Sequence, residues 1–281
     1  MFLALACALF AALGYGGASV LQGVGARGAD STPGLDPRLM VRLTASAPYL
    51  SGVALDLAAF GASLVALRSL PLFVVQAAVA SSVGVTAAIA AAMGDRIGRR
   101  DIVSLIVLGA GLILMAISAE PGPGTALTPA SRWGLLASVV VLGGAGAAAA
   151  RRTARWSAPA LAALAGLAFT VVAIAAHSLT VPSPLWHVLS DPGFWAILVL
   201  GGLGLLLFTT ALQRGSVTSI TALMVAVETV VPASVGLALL GDSTRPGYAV
   251  IAGLGFFLTI AGTVALATQD VTPVPVDIRD Q

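Results

Sequence analysis

Apolar stretches of 18 or more residues recur along this 281-residue chain, and none of them alternates polar with apolar positions. A helix rises about 1.5 Å per residue, so a run of that length crosses the hydrocarbon core of a bilayer. In hydrocarbon the backbone must satisfy its own hydrogen bonds, which leaves only helices and closed barrels, and continuous runs exclude the barrel. Composition agrees: 58% of residues are hydrophobic and 9% charged, where soluble domains carry roughly a quarter charged. The expected fold class is an all-α polytopic membrane protein.

Reading apolar runs between polar breaks gives nine expected spans: 2–24, 47–67, 71–93, 101–119, 133–150, 156–180, 192–212, 216–240 and 246–268. The first begins apolar, lacks a basic leader and exceeds the core of a signal peptide, so it is expected as a retained helix. Segment 25–46 is rich in Gly, Pro and Asp, which break helices. Its Arg38 and Arg42 keep "PRLMVRL" at the interface as an amphipathic turn. Residues 269–281 are polar and Pro-containing, and are expected as a disordered cytoplasmic tail.

All 14 basic residues are Arg. Loop arginines set orientation in membranes. One side of the expected layout collects Arg27, Arg38, Arg42, Arg96, Arg99, Arg100, Arg151, Arg152, Arg155, Arg214 and Arg279; the other holds Arg68, Arg132 and Arg245. The N-terminus is therefore expected outside and the C-terminus in the cytoplasm, in a bacterial plasma membrane. Trp133, Trp186 and Trp195 fall near the expected outer boundary, where interfacial aromatics anchor.

Two stretches of the chain end alike. "ALRSLPLFVVQAAVASSVGVTAAIAAAMGD" (66–95) and "ALQRGSVTSITALMVAVETVVPASVGLALLGD" (211–242) both read Ala-Leu, a polar turn, a small-residue span and Gly-Asp. Each is followed by a Gly-rich closing span. The corresponding spans, 71–93 and 216–240, cross in opposite directions, which is the mark of an inverted-topology repeat. The expected units are 1–119, a first repeat of about four helices, and 120–268, a second of five.

This pattern resembles the drug/metabolite transporter superfamily of the EamA type, over both halves and most clearly at 47–118 and 192–267. Members of that family usually have ten helices. The resemblance implies that the second helix of the first half is missing here, its place taken by loop 25–46. A nine-helix layout with a long first loop is similar to the NIPA-like magnesium transporters. The family's Glu at the turn is replaced by Asp95 and Asp242, and its Pro, present as Pro232, is Val85 in the first half. With this assignment spans 1 and 5 share a direction. Either span 1 is rearranged or part of 25–46 re-enters the membrane.

Of the acidic residues only Asp56 and Glu228 fall well inside expected spans. A carboxylate at membrane depth costs several kcal/mol unless protonated, paired or facing a cavity, and so marks a candidate site. Glu228 precedes Pro232 by four residues, and Pro frees the carbonyl at that spacing; together they suit a proton or cation. The position aligned with Glu228 on the Gly-Asp turns is Ser81. Asp56 carries the same reading, or else pairs with an Arg or a helix N-terminus. Gln76, Tyr15 and Gln22 either line a pathway or join helices by hydrogen bonds; Tyr15 and Gln22 are seven apart and share a face. His177 and His187 lack metal-ligand spacing, and Cys7 reads as a small buried residue.

No Walker loop, HExxH or nucleophile motif occurs, so no enzyme and no cofactor is expected. The arginines form no stripe for nucleic acid. The leading expectation is a secondary transporter of a small polar or amphipathic solute, proton- or cation-coupled, working by alternating access. A NIPA-like Mg²⁺ permease using Asp56 and Glu228 is the alternative, and a non-transporting partner of a membrane complex the third reading. Besides the lipid bilayer and a small solute or ion, a homodimer or another membrane protein remains open as a partner.

Overall fold

The computed structural model of the chain describes residues 2–29, 34–67, 72–94, 98–118, 129–152, 154–178, 189–235 and 244–269. The described residues form ten helices: α1 (Phe2–Arg27), α2 (Arg38–Leu43), α3 (Ala47–Leu67), α4 (Leu72–Ala92), α5 (Arg99–Ser118), α6 (Pro129–Ala150), α7 (Ser157–Ser178), α8 (Pro192–Leu212), α9 (Val217–Val235) and α10 (Ala249–Gln269). Nine are the runs read from the sequence. Five are long and apolar enough to cross a membrane: Leu3–Arg27, Arg99–Ser118, Trp133–Ala150, Pro192–Leu212 and Ala249–Leu266. Ser81–Ala92, Ser157–Val172 and Val217–Val231 are shorter apolar helices. The protein is a polytopic helical membrane protein.

Helix ends follow local chemistry. Asp191 caps α8 by accepting a hydrogen bond from the Gly193 amide at 2.8 Å, with Pro192 at the first helical position, where its missing donor costs nothing. Gly94 ends α4 at φ +101°, a conformation that side chains strain to adopt. The first Gly-Asp pair thus begins with a helix stop; Asp95 and the second pair, Gly241-Asp242, lie outside the described residues. In 25–46 the short helix α2 turns Leu39 and Leu43 inward against Tyr49 and Leu206 and leaves Val41 71% exposed. This is the amphipathic turn expected there.

Close packing rests on small residues, as between membrane helices generally. α1 packs chiefly on α3 and α4 and keeps one apolar face exposed, with Leu3, Leu9 and Leu13 on it. It lies antiparallel to α3, with Gly14 on Ala59 and Gly25 on Tyr49, and parallel to α4, with Gly16 on Val85. α7 pairs in the same manner with α8, through Gly204 on Phe169, and with α9, through Gly166 on Val227. α5 and α10 run antiparallel in near backbone contact, Gly111 on Thr259, Gly255 on Met115 and Gly262 on Leu108. α6 and α10 are peripheral, and residues such as Val140 (78% exposed) and Val250 (83%) present an apolar surface suited to lipid.

One end of the bundle gathers arginines. Gln213 donates its amide to the carbonyls of Ala26 (2.9 Å) and Ala29 (3.3 Å), and Arg27 donates to the carbonyl of Gly215 (3.3 Å). Arg214 donates to the Ser157 hydroxyl at 2.8 Å and to the Arg152 carbonyl at 3.5 Å. The last turn of α1, the α6–α7 turn and the α8–α9 turn are thereby tied together. Partial burial pushes the Arg214 guanidinium below its usual value, and its ordinary value is so high that it stays charged. Near the C-terminal end of α5 the Arg245 amide donates to the Ser118 carbonyl at 3.1 Å.

Candidate functional site

Mid-helix residues of α1, α3 and α9 carry the polar chemistry of the bundle interior. Gly14, Gly16 and Gly17 let α3 and α4 approach α1 closely. Between them Tyr15 projects with its phenol within hydrogen-bonding reach of Ser63 on α3. Asp56, seven residues before Ser63, lies on the same face of α3 by helical period. Glu228, on α9, completes the group. The carboxylates of Asp56 and Glu228 act on each other electrostatically, and both act on Tyr15.

Tyr15, Asp56 and Glu228 are half-buried, yet Asp56 and Glu228 lie deep among protein atoms. Among the described residues neither carboxylate makes a hydrogen bond or an ion pair. The pairing of Asp56 with an arginine, one of its two sequence readings, is absent from the described structure; the ion pair of Asp36 with Arg42, at 3.0 Å, lies at the membrane edge. Two carboxylates, a phenol and a hydroxyl with no fixed positive charge attract a proton or a cation.

The other sequence candidates divide. Gln22 lies in the α1–α3 contact, 3% exposed, against Gly52. Ser81 is exposed on α4, and it is Thr86 that reaches α1, donating to the Gly16 carbonyl at 3.3 Å and the Ser82 carbonyl at 3.0 Å. Gln76 and Pro232 sit on α4 and α9, their side chains outside the described part, as is the side chain of His177; Trp186 and His187 lie outside the described residues altogether. Asp191, the acidic neighbour of the histidines, serves as the cap of α8.

Ser63 and Thr86 were not singled out in the sequence. Ser63 had a signal, its seven-residue spacing from Asp56; Thr86 had none, since hydroxyls in apolar helices ordinarily bond their own backbone. Among the described residues no three His, Cys, Asp or Glu side chains converge as a metal set. The chain matches no known protein-family model, no curated protein and no solved structure.

Proposed function

We propose that this protein is a secondary transporter of the drug/metabolite class, moving a small polar or amphipathic solute by alternating access with a proton or cation as coupling species. The observation that carries the reading is that Asp56 and Glu228, from different halves of the chain, lie near enough to act electrostatically on Tyr15, with no counter-charge paired to either among the described residues. Midplane sites between repeats are where such transporters bind solute and ion.

Helix packing supports an inverted repeat, with a different correspondence from the one the Gly-Asp turns suggest. α1 has α3 and α4 as principal partners; α7 has α8 and α9. A Cβ on Gly16 would meet Val85 at 2.6 Å and the Ser82 carbonyl at 2.8 Å; one on Gly166 would meet Val227 at 2.9 Å and the Met224 carbonyl at 2.6 Å. The same small residue faces the same pair of positions, three apart, in each half. In this frame α1, α3, α4 and α5 answer to α7, α8, α9 and α10. α6 is then the helix without a counterpart. Loop 25–46 then replaces no helix, and each corresponding pair crosses in opposite directions. The counterpart of Glu228 becomes Thr86 in place of Ser81.

The test is flux into vesicles holding the purified protein, driven by a pH gradient, across a panel of amines, amino acids and amphipathic cations, with Mg²⁺ as a separate arm. Asp56→Asn and Glu228→Gln are each expected to lower gradient-driven flux by about tenfold or more, the loss of at least one charged contact. Wild-type flux in both variants would sink the carboxylate coupling, and absence of flux across the whole panel in the wild-type protein would sink the transporter reading. Flux of Mg²⁺ alone, lost in both variants, would favour the permease.

A further inference from the structure

Below the carboxylates, toward the arginine-rich end, the polar side chains of Thr221 and Gln22 make no hydrogen bond among the described residues, and the Thr221 hydroxyl is fully buried. Gln22 is 3% exposed. An orphaned buried polar group costs about 1–3 kcal/mol, and native interiors ordinarily satisfy such groups with ordered water.

Register brings these two within about one helical turn of each other. Val217 seats on Gly23 of α1, where a Cβ would lie 2.5 Å from it. Thr221 and Glu228 follow Val217 by four and eleven residues, so all three share the α1 side of α9. On α1, Gln22 adjoins Gly23 and lies seven residues, two turns, beyond Tyr15. On α3, Gly52 lies one turn from Asp56, and a Cβ on it would sit 2.8 Å from Gln22 Cγ and 3.0 Å from the Ala18 carbonyl. The column therefore reads Glu228 and Tyr15, then Asp56, then Thr221, and Gln22 about a turn further on. Past it come Arg27 and Gln213, at the end where three turns are tied together.

We infer that Gln22 and Thr221 form a water-holding station through which protons pass between the midplane carboxylates and the arginine-rich end. This rests on the transporter reading above. A hydroxyl and a carboxamide both donate and accept, which suits them to hold water in a chain. A carboxyl at Asp56 or Glu228 gives up its proton and becomes a carboxylate; the held water relays it, and water at the arginine-rich end accepts it as hydronium. The titratable groups facing this column are Tyr15 from α1, Asp56 and Tyr49 from α3 and Glu228 from α9. From α4 and α8 the polar groups brought to α1 and α3 are Thr86 and Thr209, neither titratable.

The experiment follows carboxyl protonation by time-resolved infrared spectroscopy in vesicles of known orientation after a pH jump on one side. The carboxyl band is assigned by its loss in Asp56→Asn and Glu228→Gln. Thr221→Val, which keeps shape, and Gln22→Met, alone and combined, are expected to slow equilibration from the arginine-rich side about tenfold. Their melting temperatures should hold or rise, and the rate from the opposite side should stay as in wild type. An unchanged rate from the arginine-rich side overturns the station and leaves the transporter reading intact. Absence of all gradient-driven solute flux in the wild-type protein removes the transporter reading, while a slowed proton rate in the variants still supports the route. Should Gln22→Met fail to fold, Thr221→Val decides by itself.

Discussion

Glu228 is an ionisable group inside the bundle that makes no hydrogen bond or ion pair among the described residues and feels the Asp56 carboxylate. Such a residue opposes stability when ionised, because like charges in a poorly solvated interior repel and neither is compensated. Glu228→Gln is therefore expected to leave the melting temperature of the purified protein unchanged or higher above the ordinary carboxylate range, while gradient-driven flux falls. A variant that lost stability and flux together would instead make Glu228 a structural residue. The opposite pattern is expected at Gly16. A Cβ there meets Val85 and the Ser82 carbonyl, so Gly16→Ala should cost about 1–3 kcal/mol by overpacking, read as a lower melting temperature. Asp56 and Glu228 were legible in the sequence because a carboxylate inside an apolar run stands out. Thr221 and Gly16 were not. A threonine or glycine among alanines looks ordinary until the neighbouring helix shows what it touches.

The nine long helices were legible from run length alone, because hydrocarbon permits no other conformation and polar residues close each run. Their partners were not legible. Small residues every few positions license close approach on any face, so which helix meets Gly16 or Gly166 depends on tertiary structure. The matching Gly-Asp turns led to Ser81 as the counterpart of Glu228, whereas equivalent contacts lead to Thr86; loops of unequal length shift the count between the two. The end of α1 was expected at 24 and falls at Arg27. Its last carbonyls need donors, and Gln213 supplies them from the α8–α9 turn. Gln213→Ala should remove about 1 kcal/mol and raise amide exchange in the 213–216 turn and in residues 26–29. Equal protection in variant and wild type would show the turn to be held by Arg27 and Arg214 alone.

For the whole molecule the open question is which way the bundle sits. Helix directions alternate through the contacts. α1 and α4 run one way and α3 and α9 the other, so the C-terminal ends of α1 and α4 share an end with the start of α9. Arg27, Arg152 and Arg214 are tied together at that end, while Arg245 approaches the far end of α5. Loop arginines favour the cytoplasmic side because they resist translocation, so the bundle geometry and the charge count call for the same orientation. With Cys7→Ser as background, a cysteine at Arg152 is expected to react with an impermeant maleimide only in inverted membranes. A cysteine at Arg245 should react only in intact cells. The reverse labelling would place the arginine-rich end outside, and the proton route through Gln22 and Thr221 would then open to the exterior.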